Sequence, residues 1–143
     1  MEFLYSIPWL SVHINVVIIT LALVVTADLH GLLWVLGKKA TLPENRMRLL
    51  HHSIGLGLLL TMFAGVMMFI SGPQYYLSLW VFRMKMLFIL GLCINTFVIG
   101  KHMKITFTTP FSEISKSEKK VLILSGLVST ACWIGAYTAA QFI

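Results

Sequence analysis

The sequence predicts an all-α integral membrane protein, a four-helix bundle with both termini on the outer side (N-out/C-out). Three observations predict it. Hydrophobic residues make up 58% of the 143-residue chain and charged residues only 11%, well beyond what the core of a soluble domain this small requires. The apolar residues gather into four runs, about 12–37, 48–71, 80–101 and 119–142, each of the order of the roughly 20 helical residues that cross a hydrocarbon layer of about 30 Å. Nine of the eleven Lys and Arg residues fall on one side of those runs, the asymmetry expected of a protein inserted under the positive-inside rule. The whole chain, 1–143, reads as one domain.

Each element follows in order. The first residues, MEFLYSIPW, have no basic stretch, and no small-residue cleavage pattern precedes Asp28, so the first run is expected to stay in the mature protein. Residues 38–48 contain Pro43 and a cluster of polar side chains and read as a turn. The second run stops at Ser71, Gly72 and Pro73, because proline lacks a backbone donor and pushes its predecessor out of the α region. The link QYYLSLW follows, with Tyr75, Tyr76 and Trp80 placed as interfacial anchors. The longest loop, about 102–118, ends in Ser115 and Glu118, the spacing of a capping box that starts the last run. Cys93 and Cys132 fall near the middle of spans and read as small packing residues; the methionines of the two middle runs read the same way.

The loops after the first and third runs must lie on one side. They hold Lys38, Lys39, Arg46, Arg48, Lys101, Lys104, Lys116, Lys119 and Lys120, which assigns that side to the cytoplasm and the protein to the inner (plasma) membrane. The net charge of +6 is then a topology signal and an attraction to anionic lipid, and calls for no nucleic acid.

Arg83 and Lys85 are the two cations on the other side, just inside the third run. Two residues apart, they project from nearly opposite faces of a helix. In one reading both extend to the outer interface. In the other, Lys85 looks into the bundle, and Arg83 stabilises negative charge beside it, such as a haem propionate or a lipid phosphate.

The five histidines favour the second reading. His13 lies with Lys85 in an outer layer; His30, His51, His52 and His102 form an inner one. His13 and His30 are 17 positions apart, as are Lys85 and His102 (102 − 85 = 17). At 1.5 Å per residue this spacing rises about 25 Å, close to the thickness of the hydrocarbon layer, and at 100° per residue it ends about 100° short of five full turns. Each helix thus carries two potential ligands, one near each membrane surface, as a bundle that holds one or two b-type haems between facing helices would. His13 and Lys85 are the candidate ligands of the first haem iron, and His30, His52 and His102 those of a second.

Asp28, inside the first run, is costly to leave in hydrocarbon. Arg48 or the His51/His52 pair is its expected partner, either as a bond that fixes the first hairpin or as part of a proton relay. Asn95 is a further polar residue inside a span. Gly57 and Gly65, eight residues apart with Thr61 between them, suit close helix approach or close approach to a porphyrin.

The stretch GPQYYLSLWVFRMKMLFILGLCINTFVIG, with F-R-x-K-M at the head of a span and Asn95 ten residues after the lysine, resembles a family of small four-span bacterial membrane proteins of unassigned activity. That family also tends to carry a histidine at the place of His13 and an acidic residue at the place of Asp28. More loosely, the early histidine of the first span and the early lysine of the third are similar to those of the haem-containing, oxygen-independent protoporphyrinogen oxidases. Copper-resistance D proteins and small four-helix b-type cytochromes share the general design. The oxidase resemblance implies His13 and Lys85 as haem ligands. The chain departs from that family where GLLWVLGKK replaces an arginine-rich end of the first span, and in lacking the segment rich in tryptophan, arginine and asparagine before the last.

Three function classes follow. The first is a membrane-bound b-type haem protein with an electron-transfer or oxidoreductase role, acting on a quinone or a porphyrin. The second is a small transporter or channel in which Asp28 and the histidines line a polar path. The third is an assembly subunit without chemistry of its own. The lipid bilayer is a partner in all three, and a homo-oligomer is compatible with each. No nucleotide-binding loop, nucleophile with a base, Cys-rich cluster or HExxH signature is present.

Overall fold

A computed structural model describes residues 8–143. Among them are six helices and no strand: α1 (Trp9–Val35), α2 (Glu44–Ile70), α3 (Pro73–Ser78), α4 (Trp80–His102), α5 (Ile105–Thr108) and α6 (Lys116–Ala140). Four of these, α1, α2, α4 and α6, are long and apolar enough to cross a membrane, and they form a four-helix bundle. Their outer faces carry large apolar side chains, Leu49 at 68% and Phe97 at 81% exposure among them. In water such a surface would aggregate; against acyl chains it is the solvent-matched one. The protein is a multi-pass membrane protein.

The helix ends obey local chemistry. Gly37, with φ of +70°, closes α1 in a Schellman motif: the Lys38 amide donates to the Leu33 carbonyl at 2.9 Å and the Gly37 amide to that of Trp34 at 3.0 Å. Pro43 stands just before α2 and Pro73 opens α3, the position where a missing amide costs nothing. Ser115 and Glu118 form the expected capping box at the start of α6, with Glu118 N–H to Ser115 Oγ at 3.2 Å and Ser115 N–H to the Glu118 carboxylate at 3.0 Å.

The bundle is built from two hairpins. α1 lies along α2 and α4 along α6, while contact between the two hairpins is much sparser. Glycines set the close approach within each. A Cβ on Gly57 would overlap the Thr20 side chain, one on Gly91 would lie 2.8 Å from Cys132 Sγ, and one on Gly135 would collide with the Phe88 ring. Small residues of this kind let helix backbones approach in lipid, where van der Waals packing drives association.

Two apolar layers tie the hairpins together. In the middle, Val24, Leu58, Leu92 and Trp133 meet, one from each long helix, with Cys93 and Cys132 packed against them as free thiols. At the end that carries the basic loops, Trp34, Leu42 and Ile114 form a second layer. There the Trp34 indole N–H donates to the Thr109 carbonyl at 3.2 Å, and the Leu42 amide donates to the Thr106 carbonyl at 2.9 Å. These bonds join the end of α1 and the α1–α2 connection to the α4–α6 connection.

Candidate functional site

The end of the bundle opposite the basic loops holds His13 and Lys85. His13, on α1, turns its ring onto Gly65 of α2, where a Cβ would stand 3.6 Å from Cε1. Its Nδ1 donates to the Thr61 carbonyl at 3.0 Å. That carbonyl belongs to a helix and already accepts the amide four residues on; because the residue there is glycine, no side chain covers it from a second donor. A carbonyl only accepts, so the bond fixes the imidazole proton on Nδ1 and leaves the Nε2 lone pair free.

Lys85 reaches this group from the other hairpin. It is half-buried, lies within electrostatic range of His13, and makes no hydrogen bond or ion pair with any described residue. Thr61, whose carbonyl holds His13, has its own hydroxyl buried without a partner among the described residues. Arg83 points elsewhere. It is exposed, and its Nε and one Nη donate to the Leu77 carbonyl at 3.2 and 2.9 Å, closing the end of α3 and leaving its other Nη for a carboxylate or phosphate.

The remaining histidines do not gather. His30, His52 and His102 each donate Nδ1 to a carbonyl four residues back on their own helix, Thr26 at 2.8 Å, Arg48 at 2.6 Å and Val98 at 2.9 Å. No three His, Cys, Asp or Glu side chains converge as metal ligands among the described residues. His51 alone turns inward, its Nε2 lying where it would meet a Cβ on Gly100 of α4 at 3.0 Å.

Asp28 does not make its expected bond. Arg48 pairs instead with Glu44, one turn earlier on α2, at 2.7 Å, and lies over the Phe107 ring at 5.7 Å. The i,i+4 partner is reached without any adjustment between helices, which is why it is preferred over an acid on α1. Asp28 has no hydrogen-bond or ion-pair partner among the described residues. It lines a cavity of about 540 Å³ between the two apolar layers, together with His51, Asn95 and Ser125. Asn95 and Ser125 satisfy each other there: Asn95 Nδ2 donates to the Ser125 carbonyl at 3.0 Å and Ser125 Oγ to Asn95 Oδ1 at 2.6 Å. Sequence spacing points to neither Ser125 nor the cavity, although a Ser and an Asn inside facing apolar helices are a pairing signal.

Because Asp28 holds no ion pair, Asp28→Asn is expected to leave the detergent melting temperature within about 2 °C of wild type, as for substitutions that break no named contact. A fall of more than about 5 °C would reveal a partner for the carboxylate.

Compared with known proteins, the chain matches no family model, no curated protein and no solved structure.

Proposed function

We propose that the protein is a membrane-bound b-type haem protein with an electron-transfer or oxidoreductase role, its iron held by His13 and Lys85. The observation that carries this reading is the bond between His13 Nδ1 and the Thr61 carbonyl of the neighbouring helix, at 3.0 Å. Haem-ligating and metal-ligating histidines characteristically donate their second ring nitrogen to a carbonyl or carboxylate, which fixes the tautomer and aims the free nitrogen. Here a half-buried lysine from the other hairpin lies within electrostatic range of the same imidazole.

The donor set suits iron. An imidazole and a neutral amine each offer one lone pair, and they come from separate hairpins whose mutual contact is sparse. An amine buried without a counter-charge is otherwise costly, and the unpartnered Thr61 hydroxyl offers a donor to a polar edge of the ligand. When bound, haem supplies reversible one-electron chemistry at its iron. The chain's own part is to hold the ligand nitrogens, to exclude water with the apolar walls of the bundle, and to offer the free Nη of Arg83 to a propionate or lipid phosphate. An absorption spectrum of the purified protein tests the reading: a Soret band with stoichiometric haem is expected, and protein that expresses well, folds and stays colourless in haem-replete cells overturns it.

The same reading places the chain in the plasma membrane with the basic loops in the cytoplasm. In a background lacking Cys93 and Cys132, Gln74→Cys should label with an impermeant thiol reagent from outside intact cells and Thr41→Cys should not. The reverse pattern would invert the topology.

A further inference from the structure

The cavity between the two apolar layers is separate from the His13 and Lys85 pair. Its floor is Trp34 and Leu42 of the basic-end layer, and its roof is Val24, Leu58, Leu92 and Trp133 of the middle layer. Its mouth is edged by Leu29 and Leu32 of α1 and Ile123 and Leu127 of α6, all of which are exposed. The opening therefore faces the acyl chains through the gap between α1 and α6, the helices that bound the two hairpins. A ligand enters from the bilayer and has to be lipid-soluble.

The interior chemistry narrows the class. Asn95 and Ser125 are mutually satisfied, and the hydroxyls of Thr96 and Thr130 donate to carbonyls of their own helices at 2.8 and 3.1 Å. The Thr106 hydroxyl likewise donates to the Met103 carbonyl at 2.6 Å, which leaves the Ser129 hydroxyl of α6 and, from two other helices, Asp28 and His51, all lining the cavity and hydrogen-bonded to no described residue. A carboxylate accepts only, a neutral imidazole accepts at one nitrogen and donates at the other, and a hydroxyl does both. An acyl chain in this space would leave all three unsatisfied in hydrocarbon, which is costly for polar groups. What matches them is an apolar ring with hydroxyl donors at two places. The volume of about 540 Å³ is in the range of small-molecule sites and holds such a ring with the first carbons of a tail. Gly31 and Gly126 both border the cavity, and a Cβ on either would meet open space, so side chains there are absent where a ligand would lie.

We propose that this cavity binds a lipid-soluble hydroquinone, with Asp28 and His51 accepting hydrogen bonds from its hydroxyl groups. The inference does not rest on the haem reading, since the two sites share none of the residues named.

The test is equilibrium binding of a radiolabelled benzohydroquinone with a short prenyl tail to the full-length protein in lipid nanodiscs, kept reduced under nitrogen. Saturable binding is expected. The dimethyl ether of the same compound, equal in shape but without donors, should bind about tenfold more weakly or worse, as should the reduced ligand to Asp28→Asn and to His51→Leu, as lost hydrogen bonds to a charged or buried acceptor imply. Gly126→Leu, which fills the cavity, should abolish binding, and Gly31→Leu gives the same result from the opposite wall should Gly126→Leu fail to fold. Equal binding of the hydroquinone and its ether overturns the proposal, as does undiminished binding by a folded cavity-filled variant. So does Asp28-dependent binding of tetraphenylphosphonium with none of the hydroquinone, which would make the site one for lipophilic cations. Binding is read by radioactivity, so a colourless protein that binds hydroquinone refutes the haem reading alone.

Discussion

His13→Ala and Lys85→Arg are each expected to abolish the haem spectrum or shift its Soret band, while Arg83→Lys leaves it close to wild type. The lysine substitution is the more telling of the two. Lys85 and arginine carry the same charge and similar length, and a lysine whose task is to reach the interface is replaced by arginine at little cost. Ligation is different, because guanidinium stays protonated and has no lone pair to give. Arg83 already directs two nitrogens at the Leu77 carbonyl, and a lysine can donate to that carbonyl too. His13→Ala removes the nitrogen that the Thr61 carbonyl orients. If Lys85→Arg matches wild type in colour and in melting temperature, Lys85 is an interfacial anchor and the iron has another ligand.

How far the sequence reveals this site depends on the kind of interaction. Span positions, the stop at Ser71 to Pro73 and the capping box at Ser115 are local, and the structure places them within a few residues of expectation: α2 ends at Ile70 and α6 begins at Lys116. The outer layer is legible as well, since a histidine early in α1 and a lysine early in α4 are fixed by helical register. The pairing of Asp28 is not. It depends on which of two partners Arg48 takes, and Glu44 on its own helix is the nearer. The division into two hairpins is invisible for a related reason. Membrane helices are apolar on every side, so periodicity does not mark the faces that meet protein. The cavity is a product of that division, lying where α1 and α6 fail to close. The histidines of the basic end illustrate the limit of counting: four lie within reach of one layer in sequence, yet three bond their own backbone and only His51 faces the cavity.

Gly57→Ala is expected to destabilise the protein by about 1–3 kcal/mol, the range for overpacking a well-filled contact. Thr20 is under 2% exposed, and its side chain occupies the place where an alanine Cβ at position 57 would stand. The Thr20 hydroxyl is anchored to the Val16 carbonyl at 2.7 Å, so it cannot swing aside without losing that bond, and the remaining response is for α1 and α2 to separate. Gly55→Ala is the control, because a Cβ there meets nothing within 4 Å. It should be neutral or stabilising by up to about 1 kcal/mol, the advantage of alanine over glycine in a helix. Combining Gly57→Ala with Thr20→Ala should recover part of the loss, a coupling of the kind that contacting pairs show. His13 lies seven residues before Thr20, on nearly the same face of α1, and its ring rests on Gly65, eight residues beyond Gly57. Separation at Gly57 therefore also lifts His13 from the Thr61 carbonyl, and the same variant should broaden or shift any haem band. Equal melting temperatures for Gly57→Ala and Gly55→Ala would show that the first hairpin is not held by this contact.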